Sequence, residues 1–425
     1  MTAAEPNRTG TANVIDMGDE ALMRDPFGGY SRIREQAPLI RGFMPGVEPV
    51  WLVTRYADVK KVLSDSRFVN DPANAAEVKT QNLFDQITRA RGIPQEGMKY
   101  ISAQMGAYDG AEHARLRGLI APAVSVRRIT EMRPRIEGIT EDLLDRLPGL
   151  AADGVVDLQG HFAYPLSSTV LSELTGIPAE DRPQLQEWRA IVASPSPTGQ
   201  EKAEVWRKLI AYIKGLVERR RGEPDRGDLI STLLEAQRRD RDQLSDTELI
   251  TMVIILGVTS QQTAHLVGNG IAALLAHPEQ LSLLRENPEL MPRAIHELLR
   301  WTTVTQLTPT VRYAAEDIEI GGVLVRKGEA VAPMLVAANH DPRMFPDPER
   351  LDITRVPDGR RETHVAFGAG PHRCPGASLS SMEAEVAFSA LLSRFPDIAL
   401  AVEPQDLERE PLPGHWRLVE LPVRL

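Results

Sequence analysis

The 425-residue sequence predicts a mainly α fold, α+β in class: one large helix-rich domain carrying a small β lobe. Three observations carry that expectation. Apolar residues make up 42% of the chain, enough for a sizeable core and too many for global disorder. Helical periodicity dominates from Ala111 to about Arg221 and again after Ser245, whereas strand-like runs are few and short. No repeat, low-complexity tract or linker divides the chain, so a single domain is expected over residues 21–425 behind a loosely ordered tail over residues 1–20.

Taken in order, Val-Trp-Leu-Val at residues 50–53 reads as a strand and residues 56–64 as a helix. Residues 70–106 are rich in Gln, Asn, Gly and Met without a clean period, the pattern of a binding loop or lid. The helical region that follows is punctuated at Pro148-Gly149, at residues 176–178 and at residues 194–199, a Ser-Pro-Ser-Pro-Thr-Gly turn that is a second lid candidate. Ser245 and Glu248 fit the N-cap and N3 positions of a capping box, opening a helix of about 30 residues that His277-Pro278 stops. A helix carrying Glu297 and Arg300 comes next, then strands at residues 311–320 and 323–325 and an irregular proline-rich stretch at residues 341–348. A glycine loop at residues 367–376 leads into a last long helix ending near Phe395.

The formal net charge of −10 argues against binding to a nucleic-acid backbone, which needs clustered positive charge. With one cysteine there is no intramolecular disulfide and no multi-cysteine metal site. The start shows no signal-peptide pattern, and the longest purely apolar run, residues 252–258, falls far short of the roughly 18–20 residues that span a bilayer. A cytoplasmic monomer without a membrane anchor is expected.

The single cysteine sits in Phe367-Gly-Ala-Gly-Pro-His-Arg-Cys374-Pro-Gly376. Gly368 and Gly370 permit a tight turn, Pro375 suits the first position of the following helix, and Cys374 would then lie at a helix N-terminus that lowers its pKa. Such a thiolate can be a nucleophile or an axial metal ligand. This loop resembles the haem-binding loop of the cytochrome P450 family, Phe-Gly-x-Gly-x-His/Arg-x-Cys-x-Gly, at every fixed position.

The resemblance implies a triangular, helix-rich domain with haem b between the long distal helix and the cysteine-loop helix, and Cys374 as the ligand of iron. It implies that His113 and Arg117, in His-Ala-Arg-Leu-Arg, hold haem propionates together with Arg312 and His372, as guanidinium suits a carboxylate. Glu297-Leu-Leu-Arg300 resembles the family's Glu-x-x-Arg, with Arg350 as third member of that structural trio, and His364 is expected to be structural. Thiolate ligation favours O–O cleavage. A small-molecule substrate is implied, with electrons from a ferredoxin and ferredoxin reductase.

One segment departs from the family. Where relatives carry an acid and an alcohol over the distal haem face, this chain reads Leu256-Gly-Val-Thr-Ser-Gln-Gln-Thr-Ala264. Alignment through Thr263-Ala-His-Leu-Val-Gly-Asn-Gly270 puts Gln261 at the acid and Gln262 at the alcohol, while a one-residue slip puts Gln262 at the acid and Thr263 at the alcohol. In either register the carboxylate is missing, and an amide holds water without shuttling protons. The expectation is an oxidase of natural-product biosynthesis that couples aromatic rings, such as indole diketopiperazines, by radical chemistry. The alternatives are a substrate-assisted hydroxylase of a polyketide or peptide, and a peroxygenase. Substrate contacts are expected from Ile254 and Val258 on one face of the distal helix with Gln261 and Gln262, and from Val304 and Thr305.

Overall fold

Five helices bring their apolar faces together in the largest core: Val126–Leu150, Tyr164–Thr175, Gln262–Ala276, Met291–Thr302 and Ala377–Arg394. They are seen in a computed structural model that describes residues 14–44, 47–75, 82–90, 93–193, 199–240, 243–259, 261–356 and 363–425. A second core joins Gly199–Arg220, Leu229–Arg239 and Asp246–Val253. The β lobe is a six-stranded sheet in the order Ile15–Asp16, Leu39–Phe43, Val50–Val53, Ala330–Pro333, Arg312–Ala314, Phe68–Val69. Its centre is a parallel pairing of Trp51 with Val331, so two segments nearly 280 residues apart in sequence are neighbours, and Arg312 pairs with Val331 on the other side.

Several expectations are met in detail. The strand Val50–Val53 and the helix Tyr56–Ser64 form as read. The Ser245 hydroxyl accepts from the Glu248 N–H while the Glu248 carboxylate accepts from the Ser245 N–H, the reciprocal capping box. Gly176, at φ +89°, ends Tyr164–Thr175 in the left-handed conformation that glycine tolerates.

Others are corrected. The distal helix is not continuous: Asp246–Val253 passes into a π-turn over Ile254–Thr259, and a new helix begins at Gln262 with Gln261 as its N-cap, at φ −124° and ψ 12°. By length and apolar content Asp246–Ala276 qualifies as a membrane span, but 69% of the window that does so is buried inside the protein, where neighbouring helices match its apolar surface. Pro148 does not stop its helix, which runs on to Leu150, because a proline one turn from the end forfeits only one backbone bond. The strand read at residues 311–320 is two strands in different sheets; Ile318–Ile320 pairs with Val323–Val325 across a Gly321-Gly322 turn, both glycines at positive φ. Residues 70–106 hold two short helices, Leu83–Ala90 and Gln95–Ile101. Within the tail read at residues 1–20, Ile15–Asp16 pairs with Gly42–Phe43, while residues 1–13 lie outside the described residues, as do 194–198 of the second lid candidate.

Candidate active site

Cys374 is held by its loop, not by a helix. Its N–H donates to the Phe367 carbonyl at 2.8 Å, Gly368 and Gly370 take φ +70° and +69°, and the following helix starts only at Ala377 with Gly376 as N-cap. Pro375 therefore belongs to the turn, one residue outside the cap. Gly370 has a second reason to be glycine: a Cβ there would come within 2.4 Å of the Leu63 carbonyl oxygen. The expected acidification of the thiol is reversed, since burial pushes Cys374 up more than the Gly376 N–H, Arg373 and Arg117 pull it down. A cation bound to the sulfur would supply the stabilisation the loop alone does not.

Around the loop the structure gathers His113, Arg117, Arg312 and His372. The His113 and His372 rings lie 4.0 Å apart between centroids, and Arg117 donates to the Arg373 carbonyl at 2.8 Å, tying Gly110–Ile120 to the cysteine loop. Arg312 is 3% exposed yet, among the described residues, its side chain bonds Thr310 alone, through that residue's carbonyl and hydroxyl. Burial lowers it to about 10, and Asp109 opposes that only at longer range. His372 falls to about 3, first through burial and then through Arg312, His113 and Arg117; His113 is lowered by burial and Arg117. The buried Nε2 of His113 has no hydrogen-bond partner. The one acid near these groups, Asp109, stands 3.9 Å from His372 and is partly occupied by the Asn70 and Asp71 N–H groups, so the cluster keeps an excess of donors and suits an anion. Two carboxylates beside a metal-binding sulfur fit that cradle, so these residues suit a propionate-bearing metalloporphyrin. Among the described residues no three His, Cys, Asp or Glu side chains converge, so a metal here would take one protein ligand and the rest from the macrocycle.

The supporting trio has a different third member from the one expected. Arg300 makes two 2.8 Å bonds to the Glu297 carboxylate, and Arg355, not Arg350, adds a third at 3.1 Å. Arg350 contributes its carbonyl, which accepts from Arg300 and Arg355, because Arg355 is wrapped by the carbonyls of Pro346, Asp347 and Arg350. His364 is buried, and its Nδ1 accepts from the Ala366 N–H, which places its proton on Nε2 facing His296 at 3.3 Å.

On the distal side, Gln261 and Gln262 are adjacent and linked: the Gln261 N–H donates to the Gln262 Oε1 at 3.1 Å. Gln262 is exposed and Gln261 half-buried, while Thr263 turns to Ser380 at 3.1 Å. Ile254 and Val258 do not line this region. They are buried at 0% and 1% exposure in the second core, and the half-buried residues of the turn are Ile255 and Leu256. The π-turn is the cause, since more than 3.6 residues per turn rotates the face that a regular helix would present. Val304 is buried and Thr305 half-buried; both are held by backbone bonding to residues 415–416. Sequence pattern does not single out Arg355, whereas Arg189 stands out as a charge within the apolar stripe of Leu185, Trp188 and Val192.

A lone half-buried cysteine in a glycine loop, with Arg117, Arg312, His113 and His372 gathered beside it, has the features of a haem-thiolate oxygenase. The sequence profile described as Cytochrome P450 matches residues 32–413, and the chain belongs to that family. It is 39% identical over 415 residues to cytochrome P450 107B1 of Saccharopolyspora erythraea, covering 96% of each chain. To the 6-deoxyerythronolide B hydroxylase of the same organism it is 36% identical, over 97% of this chain and 99% of that one. The tirandamycin C-bound P450 monooxygenase TamI superposes with a TM-score of 0.85 at 35% identity, over 97% of this chain and all of the other. The protein is thus a cytochrome P450 monooxygenase with a haem cofactor, working on small molecules with a redox partner.

Proposed function

We propose that the protein hydroxylates a medium-sized natural-product scaffold, polyketide or peptide. Its relatives are hydroxylases of natural-product biosynthesis, and they lend no support to coupling of indole diketopiperazines. The observation that carries the reading is the pairing of the complete Cys374 loop with a distal segment that holds two amides and no carboxylate. Haem b, when bound, supplies the activation of dioxygen. Cys374 anchors it through sulfur, and Arg312, Arg117, His113 and His372 hold its carboxylates. Gln262 spends its amide oxygen on the Gln261 N–H, so its NH2 is the group offered to a water or a substrate oxygen. With no distal acid, the proton comes through ordered water or from a substrate hydroxyl. The chain works as one domain from the Ile15–Asp16 strand to residue 425, in the cytoplasm, as a monomer fed by a ferredoxin and its reductase.

The test is turnover of polyketide and cyclic-dipeptide panels with a ferredoxin, its reductase and 18O-labelled dioxygen. One labelled oxygen per product is expected; unlabelled dimeric product, or turnover with peroxide alone, would replace this reading. Cys374→Ser should abolish the thiolate-type band of the reduced CO complex.

A further inference from the structure

The helix Arg182–Ala193 points Leu185, Trp188, Arg189 and Val192 inward, at i, i+3, i+4 and i+7. Three of the four are apolar, and the fourth is an arginine that is 9% exposed. Arg189 reaches the distal π-turn, where Nη2 donates to the Gly257 carbonyl at 2.6 Å, and its buried Nε has no partner. Among the described residues no carboxylate pairs with it, and burial lowers it to about 10. In sequence, residues 194–198 and 259–260 contain no Asp or Glu.

A guanidinium withdrawn from water costs several kcal/mol unless an anion meets it, and a neutral carbonyl offsets that only in part. Charge inside an apolar stripe breaks the local pattern, and such breaks concentrate at functional positions. Just before Gly257 in the chain come Ile255 and Leu256, the half-buried apolar side chains of the distal turn. A mostly apolar wall with one fixed charge is how a small-molecule site orients its ligand.

We propose that Arg189 is the specificity-determining residue of the substrate pocket, and that the substrate is an apolar molecule bearing a carboxylate. This rests on the pocket being that of the oxygenase described above. The Nε–H, left without a partner, is the donor for the acid, while the Nη2 bond to the Gly257 carbonyl fixes the plane of the guanidinium against the distal turn. The acid end is then held at that turn, and oxidation falls at a distance from it set by the length of the molecule.

The experiment compares tetradecanoic acid with its methyl ester on the purified holoenzyme, by the spin-state shift of the haem and by calorimetry. Wild type is expected to bind the acid at least about tenfold tighter, as for a desolvated charge pair. Arg189→Met should bring the ratio to about one, and Arg189→Lys should keep part of it. A residue that only braced the turn would leave the ratio unchanged in both variants. No acid preference in wild type, or a preference that survives in Arg189→Met, overturns the assignment; the wild-type comparison stands even if a variant fails to fold. The calorimetric ratio is independent of the reduced-CO spectrum, so loss of the thiolate band would refute the oxygenase reading without deciding this one.

Discussion

Arg312 shows what a single side chain reveals about a missing anion. Many surface arginines of this chain meet acids, and Arg135, for instance, makes a forked contact with Glu173. Arg312 sits on a central strand at 3% exposure with no acid in salt-bridge reach among the described residues. On the proposed reading, a haem carboxylate would be its partner in the holoenzyme. Arg312→Met should therefore speed haem transfer to an excess of apomyoglobin by about tenfold or more, since the variant removes one partner of a buried charge pair. The same substitution should raise the melting temperature of the haem-stripped chain, because an unpaired buried charge is replaced by an apolar side chain of similar size. Unchanged haem transfer would remove Arg312 from the cradle.

At the scale of elements, what could be read from sequence was whatever depends on neighbours along the chain. The capping box at Ser245 and Glu248, the glycine stop at Gly176 and the strand Val50–Val53 are local, and all are found where local chemistry places them. The break in the distal helix is not local. It depends on Gly257 packing so tightly on Tyr164–Thr175 that a Cβ would lie 2.9 Å from the Thr175 side chain, and on Arg189 bonding the Gly257 carbonyl from another helix. The exchange of Arg350 for Arg355 has the same origin: both are arginines of one irregular stretch, and only the carbonyls folded around Arg355 decide which reaches Glu297. The cysteine loop was legible as a motif, but the reason for Gly370 was not, because Leu63 lies some 300 residues away in sequence. Gly370→Ala combines a left-handed φ with a backbone clash that no side-chain movement relieves. It should reduce haem content at purification to a small fraction of wild type. A variant loaded to the wild-type level would show that the Cys loop and the helix Tyr56–Ser64 can separate freely.

Over the whole molecule, the cores that position the site set a pH limit on stability. Glu383 lies on Ala377–Arg394 at 1% exposure, and burial pushes its carboxyl up to about 8 with only slight relief from Ser167. The charged or titratable groups of the elements packed around this helix do not offset it. His265, on Gln262–Ala276, is held neutral by burial and Arg417, and the Glu385–Arg133 pair belongs to the half-exposed surface of the same helix. Below about pH 4.5 Glu383 is protonated in both folded and unfolded chains and does not affect their balance. Above that the unfolded chain ionises first and the folded chain retains its proton, so stability falls as pH rises, levelling off near pH 8 once the folded group ionises too. The sign is opposite to that of the salt-bridged carboxylates, such as Glu35 beside Arg343, whose lowered value adds stability above the ordinary carboxylate range. Glu383→Gln removes the ionisation while keeping the shape. Its melting temperature should match wild type near pH 4.5 and exceed it by a margin that widens up to pH 8. A constant margin across that range would mean that Glu383 is ionised in the folded protein, and that a cation or water chain reaches the interface between the cysteine-loop helix and Tyr164–Thr175.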